Sequence, residues 1–148
     1  MSAFIEKIKT IPKLRTGNGC SEKQLADAQA ELDIAFPPEL KDYLLTFGSI
    51  DFYGTVWLGI GEINGIEIKG ERNIVFMTQR VRKDFPDYPK NMVILEDFGI
   101  DDRYAAVSTD GKVFYVHCGN CQKAYDSLSA YLDQCIRRRE DDDIEDDE

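Results

Sequence analysis

The stretch His117-Cys118-Gly119-Asn120-Cys121 contains the chain's single histidine and two of its four cysteines. Three chemistries suit such a stretch. Structural zinc takes four Cys or His ligands, usually as two pairs. Here one C-x-x-C has no second pair, because Cys20 and Cys135 stand alone. On a strand, His117 and Cys118 would also face opposite sides. A thioredoxin-like redox pair needs a helix N-terminus at the thiol to lower its pKa, and the next helical pattern begins about five residues too late. The third reading is favoured: a β-hairpin with Gly119-Asn120 as its two-residue turn, which sets Cys118 opposite Cys121. Opportunistic oxidation stays open there, since opposed residues lie within disulfide range. In a reducing cytosol the default is four free thiols.

Other candidate chemistry is sparse. Gly59-Ile60-Gly61-Glu62-Ile63-Asn64-Gly65 lacks the glycine spacing of a dinucleotide loop and the lysine of a P-loop. No Ser-His-Asp or H-E-x-x-H arrangement exists. No catalytic residue, metal ligand set or cofactor is therefore expected. Glu96-Asp97-Phe98-Gly99-Ile100-Asp101-Asp102 stands out because four acids flank two apolar residues between strands. Its ligand spacing is wrong for a calcium loop. It is either a solvated loop or a recognition loop, since loops on a rigid scaffold often carry binding. Glu96, Asp97, Phe98, Ile100, Asp101 and Asp102 are its candidate contact residues. Tyr53 and Trp57 are further candidate anchors, because aromatics dominate interface hot spots; a Trp inside an apolar strand is nonetheless more often core.

The elements that would position these residues follow from local patterns. Ser21 with Gln24 fits a capping box, and Cys20 with Leu25 a hydrophobic staple. Leu25, Ala28 and Leu32 then share one helical face, and this is the first firm element. Pro38 suits the first turn of a second helix with Leu40, Leu44 and Phe47 as its stripe and Gly48 as its cap. Residues 55–60 read as a strand, and 61–70 as a loop or short hairpin. Ile74, Met77 and Val81 have helical spacing, so 71–83 is read as a helix. Pro86 and Pro89 break the chain. Residues 92–96, 104–108 and 112–118 read as strands, the last two joined at Thr109-Asp110-Gly111. A closing helix starts near Asp126 or Ser127 and buries Leu128, Tyr131, Leu132, Cys135 and Ile136. Arg137, Arg138 and Arg139 would sit in its last turn, where cations favour the helix dipole.

The chain has 148 residues and a formal charge of -10. Eight of the 28 acids lie in 140–148, and the remaining body, with 18 basic and 20 acidic residues, has a net charge of -2. A block of like charge cannot pack on itself, so 140–148 is expected to be a disordered acidic tail behind a single domain spanning 1–139. The body has no basic footprint for a phosphate backbone, which argues against nucleic-acid binding. No apolar run nears the ~18 residues of a membrane span. The N-terminus alternates charged and apolar residues and is no signal peptide, which points to the cytoplasm. The order of elements predicts an α+β fold, a mainly antiparallel sheet flanked by helices.

Several motifs resemble the SUKH superfamily, named partly for yeast cell-wall-assembly regulators of the Smi/Knr type. The most specific is Ser21-Glu22-x-x-Leu25-x-x-x-x-x-Glu31-Leu32, followed by Phe36-Pro37-Pro38-Glu39-Leu40-Lys41-Asp42-Tyr43-Leu44 and Gly48. The second is Val113-Phe114-Tyr115-Val116. The third is Ala124-Tyr125-Asp126-Ser127-Leu128-Ser129-Ala130-Tyr131-Leu132, in which Leu128 and Tyr131 stand where the family often has Phe. The resemblance spans 21–136 and is weakest over 59–87. It implies an α+β sheet wrapped by helices and no shared catalytic residue. It also implies protein binding, since many bacterial members are immunity proteins that block secreted toxin domains, often nucleases. The expected function is binding and neutralisation of a cognate toxin by a bacterial cytoplasmic protein. The alternatives are a regulatory scaffold domain of the Smi/Knr type and, third, an enzyme of unrecognised chemistry.

Overall fold

The structure, a computed structural model, describes the backbone of residues 2–146 and the side chains of residues 2–138. A helix absent from the sequence reading comes first. α1 (Ala3–Lys9) is capped by Ser2, whose side chain accepts from Ile5 N, and it buries Phe4, Ile5 and Ile8. Those three apolar residues occupy one face through i, i+1 and i+4 spacing. β1 (Arg15–Thr16) follows, then α2 (Glu22–Leu32) with the full Ser21–Gln24 capping box. α3 (Pro38–Phe47) begins on Pro38 and ends at Gly48, whose φ is 73°.

β2 (Ile50–Phe52) and β3 (Thr55–Trp57) join β1 in a small antiparallel sheet of order β1-β2-β3. The strand expected over 55–60 stops at Trp57. Beyond it, Gly59 leaves the ladder to make an isolated parallel bridge with Asn73. β4 (Glu62–Ile63) and β5 (Ile66–Glu67) make a short hairpin, and a 3-10 turn leads into α4 (Ile74–Asp84). Asn73 caps α4 by accepting from Val75 N and Phe76 N, which starts the helix inside the segment read as 71–83.

The main sheet is an antiparallel meander of order β6-β7-β8-β9. Its strands are β6 (Met92–Asp97), β7 (Arg103–Ser108), β8 (Val113–His117) and β9 (Asn120–Tyr125). α5 (Leu128–Asp146) closes the fold, with Ser127 Oγ accepting from Ala130 N at 3.1 Å. Helices and sheets share one core, in which Trp57, Tyr43, Tyr131 and Leu132 are fully buried, and the fold is α+β. Among the described residues no helix is long and apolar enough to cross a membrane.

Both hairpin turns differ from the sequence reading in detail. Of Thr109-Asp110-Gly111 only Gly111 has positive φ, at 85°. Ser108 accepts from Gly111 N and donates to Lys112 O, so the connection is a three-residue loop. The second turn is centred on Cys118-Gly119, not Gly119-Asn120. Their φ values are 51° and 84°, and His117 pairs with Asn120 across the ladder. A turn with positive φ at both central positions favours glycine in the second place, and only this register supplies it. Phe85 also packs onto Gly119, where an added Cβ would lie 2.5 Å from Phe85 Cβ. Cys121 consequently pairs with Val116, and Cys118 sits in the turn rather than opposite it.

Helical backbone continues to Asp146, through most of the segment read as a disordered tail. No proline or glycine interrupts 137–146, so nothing local stops the helix. The last two residues of that segment lie outside the described residues, as do the side chains from 139 onward. Deleting 140–148 is expected to change stability by no more than the ~0.5 kcal/mol typical of surface changes. A thermal melt of the truncated chain checks this, and a larger loss means that the acidic segment packs on the body.

Candidate functional site

The loop between β6 and β7 is built on a bulge. Ile94 pairs with Ala106 but Glu96 with Ala105, so Leu95 is the extra residue. Directly paired residues share a face, and Ala105 and Ala106 face opposite ways; Ile94 and Glu96 therefore do too. This turns Glu96 inward, beneath α5, where it is 4% exposed. Tyr131 donates its hydroxyl to Glu96 Oε1. Arg138 donates to both carboxylate oxygens, at 3.2 and 3.4 Å, and to Cys135 Sγ at 2.9 Å. Burial first, and then the Glu96 carboxylate, push the Tyr131 phenol far up, so it stays a proton donor. Burial is the largest single influence and works against the Arg138 charge, but the charge and hydrogen bond of Glu96, together with Cys135 and Tyr131, push its pKa up on balance. Burial also pushes the Cys135 thiol up to about 11. These groups form a hydrogen-bonded cluster that ties the first three turns of α5 to the sheet, although Arg138 Nε has no partner among the described residues.

Aromatic rings carry that support outward. Trp57 stacks on Tyr131 at 6.0 Å between ring centroids, Tyr131 meets Tyr115 edge-on at 6.4 Å, and Tyr115 meets Phe98 at 6.1 Å. Tyr125 completes the group, its hydroxyl 3.0 Å from that of Tyr115. Arg138 lies over the Phe98 ring at 5.7 Å. Rings in these offset and edge-to-face arrangements attract beyond their burial, so Phe98 is tied to the core and steadies the loop.

The rest of the loop faces solvent. Asp97 caps it, accepting from Gly99 N at 2.8 Å. Arg103 N donates to Ile100 O at 3.0 Å and Phe98 N to Arg103 O at 3.1 Å. Cys118 N donates to Asp102 O at 3.1 Å, which fastens the loop to the β8–β9 turn. Asp97, Asp101 and Asp102 are exposed, and Ile100 is 64% exposed between them. Beside the loop lies a cleft of about 730 Å³ with Phe98, Tyr115, Gln122 and Arg138 among its walls.

The structure thus brings together Asp97, Phe98, Ile100, Asp101 and Asp102 at one end of the main sheet. It removes two candidates from the surface. Trp57 is 0% exposed, at the centre of the core, and cannot anchor a partner. Glu96 is not part of the acidic face, because the bulge turns it under α5 and Arg138 pairs with it. Tyr53 is 40% exposed but belongs to the β2–β3 turn of the small sheet, with Lys13 over its ring at 5.8 Å. The sequence reading missed the roles of Tyr115, Tyr131 and Arg138. The apolar stripe of the closing helix gave Tyr131 as core but not its hydroxyl's partner, and nothing local pairs Arg138 with a residue 42 positions earlier. His117 and Cys118 are exposed at the turn. Among the described residues no group of three or more His, Cys, Asp or Glu could hold a metal ion.

Comparison with known proteins agrees with this architecture. A crystal structure of a protein from Pseudomonas syringae pv. tomato superposes with a TM-score of 0.66, covering 85% of this chain and 90% of that one. The two are 16% identical, so the likeness concerns the fold alone. No curated protein matches the sequence. The sequence profile of the SMI1 / KNR4 family (SUKH-1) matches residues 19–134, from the residue before Cys20 through most of the buried stripe of α5. With the helix pair α2 and α3, the four-stranded meander and the first two turns of the closing helix inside that span, the chain belongs to the SMI1 / KNR4 family (SUKH-1).

Proposed function

We propose that this protein is a non-catalytic binding domain that neutralises a toxin domain, with the loop 97–102 as its contact surface. One observation carries the reading: three exposed carboxylates bracket an exposed Ile100 on a loop held to the neighbouring turn and braced by core aromatics. A loop fixed in this way loses little entropy on binding. Its charges can steer a basic surface, such as the cleft of a nuclease, toward the apolar contact at Ile100. Family membership supports a protein-binding role, and a cytoplasmic site of action in a bacterium follows if the target is such a toxin.

The test is the double substitution Asp101→Asn with Asp102→Asn. Both residues have positive φ, at 53° and 54°, and asparagine tolerates that region well. The change removes charge without disturbing the turn. Association with a cognate toxin domain, to be sought first by pull-down against any toxin-like product of a neighbouring gene, should slow by roughly tenfold at low salt, and the difference should fade as salt screens it. The melting temperature should hold. Unchanged association and protection at low salt would overturn the acidic-loop reading.

A further inference from the structure

β9 is the last strand of the main sheet, and among the described residues its outer side has no strand beside it. His117 and Asn120 flank the two-residue turn, so they form a hydrogen-bonded pair, and the pattern then alternates along the ladder. Tyr115 and Gln122 form the next such pair. Cys121 opposite Val116 and Lys123 opposite Phe114 are the non-hydrogen-bonded pairs, and their N–H and C=O groups point away from β8. Among the described residues no hydrogen bond from another element reaches these backbone groups.

This open edge is continuous with the acidic loop. Cys118, one residue before Gly119 in the turn, is bonded to Asp102, and Asn120, Cys121 and Gln122 help to line the cleft that Phe98 and Tyr115 floor. The charges around it are mostly spoken for. Lys123 pairs with Asp126, and Arg138 is held by Glu96. That leaves Asp97, Asp101 and Asp102 against Arg103, a net negative rim.

We infer that the β9 edge accepts an extended, basic segment of a partner protein as a fifth strand, with the partner's cations meeting the acidic loop and an apolar side chain entering the cleft. The inference rests on the reading that the loop meets a partner, and it adds the backbone contact through which the partner is held. Strand addition takes affinity from main-chain hydrogen bonds and specificity from pockets beside the edge, and both parts are present here. A second copy of this chain is a poor occupant. It would bring another acidic loop on a chain of net charge -10, and like charges set side by side disfavour pairing.

The test uses the full chain and an end-blocked hexapeptide that alternates lysine with valine or phenylalanine. Calorimetric titration at low salt should detect binding, with hydrogen exchange slowing at the amides of Cys121 and Lys123. A version N-methylated on its edge-facing amides should bind roughly tenfold more weakly or worse, the effect of lost backbone hydrogen bonds. A version with glutamate for lysine should not bind. On the protein side, Lys123→Pro removes an outward N–H that the ladder does not use, so the fold should tolerate it. It should weaken binding while Lys123→Ala does not. No measurable binding of the unmodified peptide overturns the inference. Full binding by Lys123→Pro and by the N-methylated peptide, with loss in the Asp101→Asn, Asp102→Asn protein, also overturns strand addition but leaves the loop contact standing. Loss at Lys123→Pro with no effect of the double asparagine change keeps the edge and removes the loop.

Discussion

Gly59→Ala is expected to keep the chain from folding stably, with a cost above the ~4–5 kcal/mol that marks exceptional substitutions. A Cβ at Gly59 would stand 1.4 Å from the carbonyl oxygen of Gly48 and 2.6 Å from its carbon. Those atoms are backbone, so no side chain can swing aside. The surroundings are also locked. Ile60 N donates to Gly48 O, Gly59 N to Arg72 O, and Ile74 N to Gly59 O, at 3.1, 3.0 and 2.9 Å. Three chain segments therefore meet at Gly59: the cap of α3, the exit of β3 and the entry to α4. Relief would have to separate them and break those bonds at once. Far-ultraviolet circular dichroism and the yield of soluble monomer check this. A well-folded Gly59→Ala protein within ~1 kcal/mol of wild type would mean that this crossing is looser than described. Gly54→Ala serves as the contrast, because nothing lies within 4 Å of a Cβ there, although its φ of 84° adds local strain.

Glu96→Leu is expected to destabilise by about 3–5 kcal/mol, the usual result of removing one partner from a buried ion pair. Tyr131 and Arg138 would both lose their acceptor beneath α5, and the hydroxyl has no replacement acceptor there except Cys135 or water. The pair's own net worth is a different quantity. Adding Arg138→Leu to Glu96→Leu removes the stranded charge, and the double variant should regain most of the loss, since apolar replacements of buried pairs are often neutral. Urea unfolding of the two single variants and the double one closes the cycle. A Glu96→Leu protein as stable as wild type would show that Arg138 simply turns to solvent and that the network does not pin α5.

Much of the fold was legible because its signals are local. The Ser21–Gln24 box, Pro38 at a helix start and the Leu128–Tyr131–Leu132–Cys135 stripe depend on neighbours within one or two turns. α4 was legible from Ile74, Met77 and Val81 for the same reason. The opening helix was missed although Ser2, Phe4, Ile5 and Ile8 carried its cap and its stripe. The β8–β9 turn was misplaced by one residue. Both registers look plausible in sequence, and Phe85, which covers Gly119, comes from the loop after α4.

The sequence by itself determined the α+β order of elements, the acidic character of 97–102 and the lack of a familiar catalytic pattern, since each depends on residue type and short-range spacing. Only the tertiary structure decided which of those residues face outward. The bulge at Leu95 reversed Glu96 from the acidic face into a buried pair with Arg138, and the meeting of two sheets and three helices placed Trp57 at the centre of the core. Side-chain direction in a sheet has a period of two, so one inserted residue inverts everything after it. That insertion is fixed by the pairing with β7, a long-range choice that no local spacing encodes.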